Sequence, residues 1–373
     1  MKRINGHRLI QLFEEFSPKR YALEGDPIGL QIGTLNKPIE KVMIALDVLE
    51  EVADEAIEQH VDLIIAHHPL IYRPIKNLDT ESVYGRTIKK LITRDIAVYA
   101  AHTNLDVAVG GVNDLLADAL QLKDAKVLVP TIEVPLKKLV VFVPEKDADS
   151  VRAALGDAGA GAIGNYTHCS FSSKGVGSFR PGAGSNPHIG EQGKQEFVDE
   201  VKIECIYPDA IEKKVIQEML KAHPYEEVAY DVYRLDNESS EKLGLGRIGE
   251  LDREMTLKEF AEHVKQSLSV KHVRVTGNLH DKVKKVAVLG GDGNKYWKSA
   301  ASQGADVYVT GDVYYHVAHE AMMAGLNLVD PGHHMEKVVK EGVKKALEKK
   351  LNEKGFDVEV VASKVETDPF QFL

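Results

Sequence analysis

The segment VDLIIAHH (61–68) aligns without a gap with ADVYVTGD (305–312), and this match decides the fold. Lys41 lies as far before His67 as Lys285 lies before Gly311. Around both segments, short apolar strands alternate with amphipathic helices. This alternation is typical of a mainly parallel sheet that is covered on both faces. We infer an internal duplication of one α/β unit.

The two halves have their predicted elements in the same order. In the first half, strands are predicted at 41–46, 62–66 and 97–101, with helices near 49–59, 84–94 and 112–120. In the second half, strands are predicted at 285–289, 307–310 and 326–330, with helices near 296–303 and 314–324 and a long helix after Glu336.

A different pattern fills the chain between the two halves. Strands are predicted at 138–143, 168–178, 199–207 and 229–235, with helices at 148–158 and 210–222 and a glycine-rich loop at 175–194. The βαββαβ order fits a ferredoxin-like module. We therefore predict an α/β fold of two related halves packed together, with an inserted ferredoxin-like α+β domain. The predicted domains are 1–129, 130–236 and 237–373.

Composition narrows the functional class. The 373-residue chain has a net charge of −10, which disfavours nucleic acid as a partner. It has no apolar run long enough to span a membrane, and its N-terminal segment predicts an amphipathic helix rather than a signal peptide, so we expect a cytoplasmic protein. The only cysteines, Cys169 and Cys205, form no CxxC pair. Any metal site must therefore use His, Asp and Glu.

Three polar clusters follow strands of the repeated unit. His67 and His68 follow the strand at 62–66, and His102 and Asp106 follow the strand at 97–101. Ligands of parallel α/β sheets bind outside the carboxyl ends of the strands, and neutral imidazole is a favoured ligand for transition metals. Each cluster alone could be a polar strand end, a turn or a cap. Their shared position favours a metal site.

The third cluster lies at the start of the last helix. His333 and Glu336 follow the strand at 326–330 and are three residues apart, which places them on one helical face. His334 remains an alternative ligand. Asp312 and His316 follow the strand at 307–310 and are candidates for proton transfer, with ordinary capping as the alternative. His102 is a third such candidate.

The ordered set of motifs resembles a known family. The motifs are GLQIG (29–33), AHHP (66–69), HTNLD (102–106), TGD (310–312), DPGHHMEK (330–337) and TDPF (367–370). They are similar to those of the dinuclear-metal-centre family of NGG-interacting-factor-like proteins, often labelled GTP cyclohydrolase I type 2 homologues. HPYEEVAYDVYRL (223–235) resembles part of the CutA-like insert of longer bacterial members.

The resemblance implies a particular site and assembly. Carried over to this chain, it makes two divalent metal ions the cofactors and His67, His68, Asp106, His333 and Glu336 their ligands. A thiol-free site of this kind admits zinc, iron, manganese, cobalt or nickel, with zinc as the first choice. The resemblance also implies a toroidal homohexamer whose metal sites face an internal cavity.

Two functions are consistent with this pattern. The first is a metal-dependent hydrolase of a small phosphorylated or nucleotide-like substrate, in which Asp106 would bridge the metals. The family label implies attack on a purine ring, but no sequence feature identifies a guanine pocket. The alternative is a non-catalytic metal-binding or regulatory protein whose insert senses a ligand or gates the cavity.

Overall fold

The computed structural model describes residues 3–236 and 242–372, which form two compact units. The larger unit joins residues 1–131 with 243–373, and the smaller comprises residues 132–242. The boundaries predicted from the sequence were 129/130 and 236/237. The second predicted boundary adjoins residues 237–241, which lie outside the described residues. Within the described ranges, no helix is long and apolar enough to cross a membrane.

The first half of the larger unit begins with a capped helix and continues as an α/β repeat. The Asn5 side chain accepts a hydrogen bond from the His7 N–H and caps the first helix, in agreement with the predicted amphipathic helix. The elements are β1 (Ile4–Asn5), α1 (Gly6–Glu14), β2 (Gly29–Ile32), β3 (Pro38–Ile39), β4 (Lys41–Ala45), α2 (Glu50–Glu58), β5 (Leu63–Ala66), α3 (Val83–Thr93), β6 (Ala97–Ala100), α4 (Thr103–Val107), α5 (Val112–Ala119) and β7 (Lys123–Glu133).

The smaller unit has the predicted ferredoxin-like order. Its elements are β8 (Leu136–Pro144), α6 (Ala148–Asp157), β9 (Phe171–Phe179), β10 (Glu196–Pro208), α7 (Glu212–Ala222) and β11 (Tyr230–Arg234). They form one antiparallel sheet in the order β11-β8-β10-β9. The prediction of a loop over 175–194 is wrong at its start, because Gly175–Phe179 continues β9. Pairing with the long strand β10 outweighs the low strand propensity of glycine there.

The second half of the larger unit repeats the α/β pattern. Its elements are β12 (Lys242–Thr256), α8 (Leu257–Ser267), β13 (Arg274–Thr276), β14 (Lys282–Asp292), α9 (Trp297–Ser302), β15 (Val307–Gly311), α10 (Tyr315–Met323), β16 (Asn327–Asp330), α11 (Val338–Glu353) and β17 (Glu359–Ala362). One sheet has the order β17-β4-β5-β6-β2, and the other has the order β13-β16-β15-β14-β12-β7. In both, the strands of the repeat, β4-β5-β6 and β14-β15-β16, are parallel.

Equivalent hydrogen bonds establish the relation between the halves. The Asp62 side chain accepts from the backbone N–H groups of Glu40 and Lys41 at 2.7 and 2.9 Å. In the second half, the Asp306 side chain accepts from the N–H groups of Lys284 and Lys285 at 2.9 and 2.7 Å. Each aspartate thereby fixes the start of the preceding strand, at the aligned position that the sequence predicted.

A shared apolar core packs the halves together. Ile44 and Tyr99 of the first sheet and Val288 and Val309 of the second belong to one cluster of buried side chains. Helix α11 adds four buried residues to it, Val339, Val343, Leu347 and Leu351. Burying each such aliphatic side chain stabilises the fold by about 1.5–3 kcal/mol. The long helix predicted after Glu336 is thus confirmed.

We predict that the larger unit folds without residues 132–242. The backbones at the two cut points are adjacent, since a Cβ built on Gly244 would lie 2.0 Å from the Val129 carbonyl oxygen. A short Gly-Ser linker from Thr131 to Leu243 should therefore close the gap at a small entropic cost. Circular dichroism and thermal melting should show a cooperative fold, and elemental analysis should show metal binding. A soluble deletion variant that melts without cooperativity would contradict the prediction.

Candidate metal centre

Parallel pairing beyond the end of β5 positions the two adjacent histidines. The backbone N–H of His67 donates to Ala45 O at 3.1 Å, and that of His68 donates to Leu46 O at 2.8 Å. The ladder between β4 and β5 therefore continues to the sheet edge, and both imidazoles leave the sheet at its carboxyl end. His67 is buried, at 2% exposure, and His68 is partly buried.

Glu336 supplies a buried carboxylate at the centre of the cluster. Its Oε2 lies 3.0 Å from His68 Nε2, 3.6 Å from His67 Nε2 and 3.4 Å from His333 Nε2. Asp106 faces the same nitrogen of His67, with its Oδ1 3.8 Å from His67 Nε2. The sequence-predicted ligands of both halves are thus brought together within the larger unit.

The two carboxylates occupy equivalent places in the duplication. The N–H of Ala97 donates to Asp62 O, and the N–H of Asn327 donates to Asp306 O, which aligns β6 with β16. Asp106 follows Ala97 at the same interval at which Glu336 follows Asn327. The local structures differ, because Asp106 lies on α4, whereas Glu336 lies on a short 3-10 helix, His333–Lys337, that precedes α11. The last α-helix was expected to begin at His333. Instead, the more tightly wound 3-10 helix lies there, and α11 begins at Val338.

Each clustered imidazole is held through its Nδ1 atom. His67 Nδ1 contacts Ala101 O at 3.0 Å, and a carbonyl can only accept, so this nitrogen carries the proton. His68 Nδ1 and His333 Nδ1 contact the carboxylates of Asp47 and Asp312, each at 2.7 Å. When each of these three rings is neutral with its proton on Nδ1, the lone pair of its Nε2 atom is directed to the cluster. Such outer partners are typical of metal-ligating histidines.

Buried atoms without partners support a cation at this position. His67 Nε2 and Asp106 Oδ1 are buried and make no hydrogen bond to the described residues. Leaving such groups unsatisfied costs about 1–3 kcal/mol each, so a ligand is expected. Three sets of ligand atoms lie within 4.8 Å of one another: His67 with His68 and His102, His68 with His333 and Glu336, and His67 with Asp106 and Glu336. The residues present could hold metal ions, and Glu336 belongs to two of the sets.

Two glycines make room for the carboxylate. A Cβ on Gly290 would lie 2.8 Å from Glu336 Oε1, and a Cβ on Gly291 would lie 2.9 Å from the same atom. Gly291 also has a φ of +62°, a conformation that favours glycine. Asn113 fixes this segment, since its Oδ1 accepts from the Gly290 N–H and its Nδ2 donates to Asp106 O. The glycine pair near the end of β14 therefore makes space for the Glu336 side chain.

The remaining predicted site residues differ in whether they contact the clustered histidines. His102 contacts Asp26 through Nδ1 at 2.8 Å and lies among the clustered histidines, so it is placed as a further ligand candidate as well as a proton carrier. Asp312 orients His333. His334 lies apart from the cluster, beside Glu366. His316 is exposed on α10, with its ring against Tyr315, and is not among the described residues that line the cleft.

Asp47 and Thr367 are among the supporting residues that no sequence pattern had identified. Asp47 directly follows β4, so its strand-end position was a usable signal. Thr367 lies in the TDPF motif, but no pattern predicts that its hydroxyl reaches Asp47 Oδ2 at 2.5 Å from 320 residues away in the chain. Both line a cleft of about 1030 Å³ that opens above the cluster.

The charges in the cluster determine its protonation. Burial lowers the pKa of His68, but its bonds to Asp47 and Glu336 outweigh burial and raise the pKa to about 10. The bond to Glu336 raises the pKa of His333 to about 9. Burial raises the pKa of Asp106 to about 6, whereas the three surrounding imidazoles outweigh burial at Glu336 and hold its pKa well below the usual range.

We predict that metal binding releases protons. In the metal-free protein, His68 and His333 are protonated below their raised pKa values of about 10 and about 9, and a ligating imidazole must be neutral. At neutral pH, binding should release about two protons from these rings, and affinity should rise with pH. Calorimetry in buffers of different ionisation enthalpy measures the release. His316→Ala should leave it unchanged, and zero release at neutral pH would contradict the assignment.

Known proteins are similar to this chain over nearly its whole length. The family model described as Duf34/NIF3 (NGG1p interacting factor 3) matches residues 4–369. A Bacillus subtilis protein named GTP cyclohydrolase 1 type 2 homolog is 61% identical over 372 residues, covering 100% of both chains. A Halalkalibacterium halodurans protein of the same name is 60% identical over 373 residues, again covering 100% of both.

Solved structures give the same result. A Bacillus cereus protein related to NIF3 has 61% identity and a TM-score of 0.92, and a Staphylococcus aureus protein has 34% identity and a TM-score of 0.75. Both comparisons cover 100% of this chain and 100% of the other. The match of the family model to nearly the entire chain, together with these relatives, shows that the chain belongs to the DUF34/NIF3 family.

Proposed function

We propose that this chain binds two divalent metal ions and uses them to hydrolyse a small phosphorylated or nucleotide-like substrate. The observation that carries the proposal is the position of Glu336 Oε2, within 3.0–3.6 Å of three imidazole Nε2 atoms. Three imidazoles held through Nδ1 around one buried carboxylate form a preorganised ligand set. His67, His68, Asp106, His333 and Glu336 are the proposed ligands, and His102 is a further candidate.

Glu336 is the better candidate for the bridging ligand. It is shared by two sets of ligand atoms, whereas Asp106 belongs to one. This differs from the expectation that Asp106 bridges. A shared carboxylate places negative charge between two cations and offsets their repulsion, so its removal should affect both.

The cleft has features that suit a nucleotide-like anion. Lys295 is the only lysine or arginine among the described residues that line it, and bound cations would add positive charge beside the carboxylates. Tyr72, Tyr314 and Phe370 line the same cleft and are 61%, 57% and 65% exposed. Exposed aromatic rings can stack on a nucleobase, at about 1–3 kcal/mol per base.

The chain's own residues would position the substrate and carry protons. Two bound cations supply Lewis-acid activation of the substrate and of water. The Asp26 carboxylate accepts from His102 Nδ1, which leaves His102 Nε2 free to take a proton in the cleft. Asp47 and Asp312 hold His68 and His333 in place through their Nδ1 atoms. Lys295 would pair with a substrate phosphate.

The names of the relatives support a purine nucleotide as the first substrate to test, since they are called GTP cyclohydrolase 1 type 2 homologs. Zinc is the proposed metal, because a thiol-free set of imidazoles and carboxylates binds it well.

A homohexamer, as the resemblance implies, is part of the same proposal. Exposed Tyr315, Met322 and Met323 on α10 support self-association, which light scattering can measure.

We predict that elemental analysis of purified protein finds up to about two transition-metal ions per chain. Glu336→Gln keeps the shape of the side chain but removes the proposed shared charge, so both metals should be lost or strongly weakened. Asp106→Asn should weaken mainly the metal beside His67. His316→Ala is the matched control and should keep full loading.

The two carboxylate variants separate the proposed arrangements. If Asp106→Asn loses both metals and Glu336→Gln loses one, Asp106 is the bridge. If the wild-type protein holds no metal after purification without chelators and after reloading, the metal centre itself is refuted.

We further predict metal-dependent turnover in a screen of phosphorylated and nucleotide metabolites that includes GTP. Glu336→Gln should abolish turnover, because the metals it would hold are required. Circular dichroism should show that the variant remains folded, and His316→Ala should retain activity. Metal-dependent binding of a nucleotide without turnover would instead favour a regulatory protein.

A further inference from the structure

The open face of the ferredoxin-like sheet contains a second cavity of about 640 Å³. Val201, Ile203 and Cys205 of β10 point to the other face, where they pack in the core with the helices. The alternate residues Glu200 and Lys202 line the cavity, and Phe142 of β8 lies opposite Lys202. A volume of about 300–1,000 Å³ is usual for sites that bind small molecules.

A glycine on β9 gives the cavity its depth. Gly175 pairs directly with Glu200, so the two residues share a face of the sheet. A Cβ built on Gly175 would meet no atom within 4 Å, and its φ is not in the left-handed region. The space above it is therefore open, although the backbone would accept a larger residue.

Two segments form the walls of the cavity. The loop after β9 contributes His188, and the segment after α7 contributes Tyr225, whose rings lie 6.1 Å apart. The Asn186 N–H donates to Glu226 Oε1 at 2.8 Å, which links the two walls. His223 is buried and fixes the second wall, since its Nε2 contacts Phe142 O at 2.9 Å. Phe179 lies 6.0 Å from the Tyr225 ring and completes an aromatic enclosure.

Glu200 brings an unneutralised charge into this enclosure. Among the described residues, no cationic group lies within ion-pair distance of Glu200, and the Tyr225 hydroxyl donates to its Oε1 at 3.4 Å. The two lysines of the cavity are engaged elsewhere, Lys174 with Glu145 and Lys202 with Glu204. Glu200 is half-buried, and its carboxylate has acceptor capacity left for N–H donors or a cation of a ligand.

We propose that this cavity binds a planar aromatic molecule whose edge presents two neighbouring N–H donors to Glu200. The flat ring would lie among Phe142, Phe179 and Tyr225, where stacking and edge contacts stabilise it. Its paired N–H groups would donate to the carboxylate, as in other bidentate charge-assisted contacts. The site lies within residues 142–229 and shares no residue with the metal centre.

Calorimetry on the full-length protein can test the proposal with two probes of this chemistry. Guanosine presents a neutral N–H pair without a phosphate, and benzamidine presents a cationic one. Inosine and benzoate are the matched controls, because inosine lacks the amino group and benzoate reverses the charge. Guanosine or benzamidine should bind saturably, and its control should bind at least about tenfold more weakly. Binding of guanosine alone indicates a nucleobase-like ligand, and binding of benzamidine alone indicates a cationic one.

Variants determine whether the binding occurs in this cavity. Gly175→Val should fill the cavity and abolish binding. Gly182 also has open space around its Cα but does not line the cavity, so Gly182→Val should leave binding unchanged. Glu200→Gln should weaken binding about tenfold. His68→Ala should leave it unaltered. The proposal is overturned if neither probe binds saturably up to about 1 mM, if binding survives Gly175→Val in folded protein, or if His68→Ala removes it.

Discussion

The burial of the Glu336 carboxylate among three imidazoles is the constraint on which the larger unit depends. A buried charge is costly unless it is paired, and here the pairing partners come from both halves of the duplication. Their Nδ1 atoms are held in turn by Ala101, Asp47 and Asp312. The glycine pair near the end of β14 and the position of Asn113 then follow from the need to accommodate this one side chain.

The duplication explains how such a site forms without a dedicated domain. Each repeat supplies an aspartate that fixes its first strand and a carboxylate beyond its third strand, so Asp106 and Glu336 meet because the two sheets share a core. The repeats have diverged at the second strand. His68 is a candidate ligand, whereas the aligned Asp312 supports His333. One position thus serves as ligand in one half and as support in the other.

Much of this arrangement could be predicted from sequence, because strand ends of parallel sheets converge. That rule placed His67, His68 and Asp106 at one sheet edge and His333 and Glu336 at the corresponding edge of the repeat. Periodicity alone indicated the ferredoxin-like order. What it could not supply were contacts between segments far apart in the chain, such as Thr367 with Asp47. Strand β12 and helix α8 were also missed. His316 was a candidate only through its spacing from β15, and its exposure on α10 could not be known without the fold.

The distance along the chain between the clustered residues has a consequence for biosynthesis. His68 and Glu336 are 268 residues apart, on either side of the inserted unit. During translation, the histidines leave the ribosome long before the carboxylate that faces them, so a nascent chain that has not reached Glu336 has only part of the clustered residues. Any metal capture through Glu336 would therefore follow synthesis of the inserted unit. A fragment that ends within the inserted unit cannot assemble the cluster.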